Sequence, residues 1–86
     1  MSVNELLRIE MDGPRLIIDA RSAIQSGRQP RNEILTLVGD APIGTLCEVH
    51  VPNRASHLIA ALESMGMNVV ISEVEPGHWR LRMMKL

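Results

Sequence analysis

The chain has 86 residues and a formal net charge of −1, which is enough for one domain and too little positive charge for a general nucleic-acid binder. Apolar residues make up 45% of it, yet there is no Phe, no Tyr, one Trp and six Met, so the expected core is thin, aliphatic and filled by thioethers that specify packing poorly. The single Cys47 excludes an internal disulfide framework, Met1–Gly13 carries acids and no signal-type apolar stretch, and no apolar run reaches the ~20 residues of a membrane span; a cytoplasmic protein without membrane contact is expected.

Residues 1–14 carry two signals. Ser2 followed by Glu5 is a capping-box pattern that favours a short helix. Leu7, Ile9 and Met11 alternate and run into Asp12-Gly13-Pro14, which favours a strand and a hairpin turn. The balance tips to the strand, and the segment reads as an extension in front of a domain spanning 15–86. Arg15–Ala20 is a nearly continuous apolar run of the kind a central strand shows. Residues 21–29 read as a polar loop. Pro30 then suits the first position of a helix, where its missing N–H costs nothing. Ile34, Leu37, Val38 and Ala41 give that helix an apolar stripe, with Gly39 as its C-terminal stop and Pro42 forbidding continuation.

Gly44–Val51 alternates with period two: Cys47, Val49 and Val51 on one face, Leu46, Glu48 and His50 on the other. Pro52 ends this strand and Asn53 is the expected cap of a second helix, whose stripe is Ala55, Leu58, Ile59, Leu62 and Met65, ended by Gly66. Residues 68–75 and 78–85 read as strands joined by the Pro76-Gly77 turn. The last strand presents Trp79, Leu81 and Met83 one way and His78, Arg80 and Arg82 the other. The order β-α-β-α-β-β predicts an α/β (α+β) two-layer sandwich, with a four-stranded mixed sheet and two helices on one face. The uncovered face is expected to carry Glu48, His50, His78, Arg80 and Arg82, with some of Glu73 and Glu75.

On these residues the chain resembles a known family. Ile18-Asp19-Ala20-Arg21 is similar to the Leu-Asp-Ala-Arg-Gly or Leu-Asp-Leu-Arg-Gly opening of TusA-like and SirA-like sulfur carriers. A loop, a helix opened by Pro30, Ile43-Gly44-Thr45 and the Gly77-His78-Trp79-Arg80-Leu81 hairpin follow in the family's order, so the likeness covers about residues 16–86. The family carries sulfur on the cysteine of Cys-Pro-x-Pro at its first helix, where the helix N-terminus lowers the thiol pKa. Counted back from Gly44 without a gap, the second proline of that motif falls on Pro30, the first on Arg28 and the cysteine on Gly27. The chain therefore resembles a cysteine-less branch of the superfamily, a likeness that implies the fold and leaves the function open.

The expected site is the N-terminal end of the first helix. Arg21, Ser26, Gly27, Arg28, Pro30 and Arg31 surround free N–H groups and a positive dipole. That setting fits a small anion or the acidic segment of a protein partner; balanced by Asp19 and Glu33, it also fits a solvated basic loop. Cys47, mid-strand on the face with Val49 and Val51, reads as core, although a divergent sulfur-relay protein or relay docking partner that used any thiol would have to use this one. His50, His57 and His78 show no metal-ligand spacing; His50 and His78 can share the uncovered face with Glu48. No phosphate-binding glycine loop, nucleophile–base pair or carboxylate pair of defined geometry is legible. The expectation is a non-catalytic binding or regulatory module with no metal and no cofactor, able to form a homodimer through its uncovered sheet face.

Overall fold

The structure, a computed structural model, describes residues 7–86. The capping-box reading of Ser2 and Glu5 lies outside the described residues. Arg8–Asp12 (β1) and Arg15–Asp19 (β2) pair as an antiparallel hairpin, turning at Gly13, whose φ of +58° a side chain would resist. The strand reading of this segment holds over residues 8–12, which join the same sheet as the rest.

Arg21–Gln25 (α1) and Arg31–Asp40 (α2) lead to Leu46–Val51 (β3), parallel to β2; Ser56–Ser64 (α3) leads to the antiparallel hairpin of Val70–Glu75 (β4) and His78–Met84 (β5). Strand order is β1-β2-β3-β5-β4. The described residues thus form a mixed α+β fold with five strands and three helices, where four and two were expected. The extra strand is β1. The extra helix is α1, within the stretch read as a polar loop. Ala20, Ala23 and Ile24 repeat at helical spacing there, with Ala20 and Ala23 fully buried, and that stripe is too short to stand out among polar neighbours.

The register explains the core. Ile18, Val49 and Leu81 lie side by side on β2, β3 and β5, each fully buried, with Leu16, Cys47 and Met83 forming the next row. Ala23, Ile34, Val38, Leu58 and Leu62 from the three helices pack into the same core. β1 extends beyond this cover: Ile9 and Met11, aligned with Ile18 and Leu16, remain exposed.

Helix ends differ from their sequence signals in three places. Pro30 precedes the first helical residue as the N-cap of α2. Gly39 lies inside that helix, which stops because Ala41 is extended ahead of Pro42. The protein's one lysine, Lys85, donates from Nζ to the carbonyls of Val38 and Gly39, placing a cation on the negative end of the helix. Asn53 accepts from the Ala55 N–H at 2.9 Å and so stabilises the turn before α3; the N-cap itself is Ala55, held at φ 49°, ψ 49°. That left-handed conformation costs a residue with a Cβ roughly 1–2 kcal/mol.

Candidate functional site

The two crossovers, β2 to β3 and β3 to β4, leave the parallel strands β2 and β3 at the same end of the sheet. The segments opening α2 and α3 therefore meet, and a cleft of about 750 Å³ lies between them. Its lining includes Arg28, Pro30, Arg31 and Asn32 from one side and Asn53, Arg54, Ser56 and His57 from the other. Among the described residues, no Asp or Glu lines it. Neither helix has a side-chain cap at its N-terminus, so the N–H groups of both first turns face water or a ligand. Arg54 lies over Trp79, its guanidinium carbon 5.6 Å from the ring centroid, a cation–π contact that fixes the side chain beside the cleft.

Of the residues expected at the site, Arg28, Pro30 and Arg31 line this cleft. Ser26 and Gly27 sit on the exposed turn behind it: Ser26 Oγ donates to the Ser22 carbonyl, and Gly27 has φ +83°. Arg21 goes elsewhere. Its Nε and Nη2 donate to the two oxygens of Asp19 at 3.0 and 2.8 Å, and its backbone N–H bonds the same carboxylate. This fork holds the Asp19 carboxyl below its ordinary range, chiefly through the side-chain hydrogen bonds and against the opposing effect of burial. It also raises the Arg21 guanidinium further above its own.

The Arg21 fork begins a second constellation, on the uncovered face. Arg21 Nη1 lies 3.2 Å from His78 Nδ1, His78 Nε2 lies 2.8 Å from His50 Nδ1, and His50 Nε2 lies 2.9 Å from Glu48 Oε2. Arg15 stands 3.8 Å from the other oxygen of Glu48. A small cleft of about 230 Å³ borders this row between β1 and the two rings. The sequence placed Glu48, His50 and His78 on one face, and they are in contact there; Glu75 joins them 4.0 Å from His78 Nδ1. Glu73 lies opposite Trp79, on the other face, in regular register with Ile71; the register irregularity between Glu73 and Glu75 is what brings Glu75 opposite His78.

Among the described residues, no group of three or more His, Cys, Asp or Glu is placed to hold a metal ion, and no helix is long and apolar enough to cross a membrane. Cys47 is 1% exposed, and burial pushes its thiol above the ordinary range, more strongly than nearby Lys85 pulls it down.

The cleft residues that sequence reasoning missed are Asn53, Arg54, Ser56 and His57. The signal that finds them is topological: in a sheet where consecutive parallel strands both feed helices, the two helix starts converge beyond the strand ends. No protein-family model matches the chain, and no curated protein matches it.

Proposed function

We propose that this chain is a non-catalytic binding or regulatory module, a relative of the TusA-like two-layer sandwich that lacks the sulfur-carrying cysteine, and that it takes a small anion or a partner's acidic segment in the α2–α3 cleft. One observation carries the reading: two helix N-termini without side-chain caps open into a single cleft that has Arg28, Arg31, Arg54 and His57 on its walls and, among the described residues, no acid. Backbone N–H groups and guanidinium forks are the donors that carboxylates and phosphates select. A cleft of this size and openness suits an extended acidic side-chain cluster better than one enclosed ion.

The test is an NMR titration with inorganic phosphate and, separately, with a decaglutamate peptide. Amide shifts should concentrate in residues 31–33 and 56–58 for both. The double variant Arg31→Ala/Arg54→Ala should keep the wild-type spectrum elsewhere and lose at least tenfold in affinity for the peptide. Undiminished binding by the variant would remove the cleft from consideration.

The uncovered face belongs to the same reading as a homodimer surface, because Leu46, Val70 and Met84 stay 44%, 58% and 48% exposed there. The proposed setting is the cytoplasm, where a lone thiol remains reduced. A sulfur-relay role through Cys47 requires a thiol that solvent can reach, and its burial weighs against that alternative.

A further inference from the structure

The row Arg21–His78–His50–Glu48 admits one arrangement of hydrogens. Arginine only donates and an ionised carboxylate only accepts. With both rings neutral, His78 Nδ1 must accept from Arg21, so the ring's hydrogen is on Nε2. That hydrogen is donated to His50 Nδ1, which leaves the His50 hydrogen on Nε2, pointing at Glu48. Three hydrogen bonds thus run in one direction from the guanidinium to the carboxylate.

One more proton cannot be added to this row without breaking its first link. If His78 takes it, Nδ1 gains a hydrogen that faces the Arg21 N–H. If His50 takes it on Nδ1, the His78 Nε2 must become the acceptor, and the His78 hydrogen moves to Nδ1. Both routes end with N–H facing N–H at the Arg21–His78 contact. The centre of the row, between the rings, survives either way. A second proton would put N–H against N–H there too, so the pair takes one proton while intact.

The charged groups around the pair decide where the displaced contact goes. Arg21 comes from α1, Asp19 from β2, Arg8 and Glu10 from β1, Glu48 from β3, Arg80 from β5 opposite His50, and Glu75 from the end of β4. Asp19 is occupied by the Arg21 fork and Glu48 by His50 and Arg15. Glu75 Oε1, 4.0 Å from His78 Nδ1 and exposed, is the carboxylate within reach of the new N–H.

We propose that His50 and His78 form a one-proton switch: a proton taken from solvent by the pair breaks the Arg21–His78 bond and transfers His78 Nδ1 to Glu75. Arg21 stays on Asp19. The hairpin tip that carries Glu75 and His78 thereby loses its hydrogen bond to the start of α1 and keeps only the attraction between Glu75 and Arg21. The switch is independent of the cleft ligand.

Long-range ¹H–¹⁵N NMR of the histidine rings tests it. At high pH both His50 and His78 should show the Nε2–H tautomer, the commoner form for His but here required of both at once. On acidification, the two ring signals, the Arg21 side-chain signals and the Gly77 amide should move with one midpoint. Glu75→Gln should preserve both high-pH tautomers and lower that midpoint, because the protonated state then faces a neutral amide oxygen in place of a carboxylate charge. His50→Gln should decouple His78 from Glu48 and give His78 a different midpoint. An Nδ1–H tautomer on either ring at high pH would overturn the proposal. So would Arg21 signals that ignore the ring titration, or a Glu75→Gln midpoint equal to that of the wild type.

Discussion

Reaction of Cys47 with a thiol-reactive dye separates a core cysteine from a sulfur-bearing one. The residue lies in β3, between Leu16 of β2 and Met83 of β5, and is 1% exposed. Its side chain points off the sheet into the core shared with α2 and α3, so exposing it requires the helical layer to part from the sheet. Labelling should therefore wait on global unfolding. At the lower bound of about 0.05 kcal/mol per residue, a chain of this length has roughly 4 kcal/mol of stability. Each 1.4 kcal/mol is a factor of ten, so labelling in native buffer should be about a thousandfold slower than in urea. The raised thiol pKa slows it further near neutral pH. The assay is dye absorbance against time at several urea concentrations, with mass spectrometry after incubation with a cysteine desulfurase and cysteine. Native labelling within tenfold of the unfolded rate, or a persulfide adduct on Cys47, would refute the argument and make the sulfur-relay alternative the leading one.

Asp19→Asn should destabilise the fold by about 1 kcal/mol at pH 7, as expected for a forked pair still partly exposed to solvent. Because the folded-state pKa is depressed, the stabilisation is full above the unfolded carboxyl's ordinary value near ~4 and disappears as pH falls through the lower, folded one. Urea curves of the wild type and variant should therefore converge in acid; a constant gap would mean the carboxylate's charge is not what stabilises. Lys85→Met removes the cation from the carbonyl end of α2 and should cost about 0.5–1 kcal/mol, read as a lower thermal midpoint, while an unchanged midpoint would make the contact neutral. If two copies associate through the uncovered face, Leu46→Glu/Met84→Glu should convert a concentration-dependent dimer to a monomer in light scattering; a wild type that is monomeric at every concentration would end that reading.

Where burial has a simple period, the sequence carries it. The alternation of residues 46–51 gives the two faces of β3 correctly, and Asp12-Gly13-Pro14 and Pro76-Gly77 mark both hairpins. Where a position depends on contacts from distant elements, the sequence is mute. Gly39 looks like a helix stop, yet the helix passes through it and its Lys85 partner is 46 residues away. Arg21 reads as part of a basic loop with Arg28 and Arg31. Its destination is set by Asp19 two residues earlier and by the hairpin tip 57 residues later. The contact between His50 and His78 depends on register: Arg80 lies directly opposite His50, so His78 reaches it diagonally. Period-two counting gives the shared face without the neighbour.

The placement of β3 also governs how the chain assembles. Four of the five strands belong to hairpins, β1–β2 and β4–β5, that local turns can close early. β3 has no hairpin of its own, and among the described residues its two ladders are the only strand pairing between those halves. Both ladders require closing long loops through helices, the slow kind of event. The folding barrier should therefore lie at the insertion of β3 between two preformed ribbons. A chain that stalls before that step presents the bare inner edges of β2 and β5, each a template for another molecule's β3. A substitution that weakens β3 would thus be read first as exchange of that strand between molecules, ahead of any loss at the cleft.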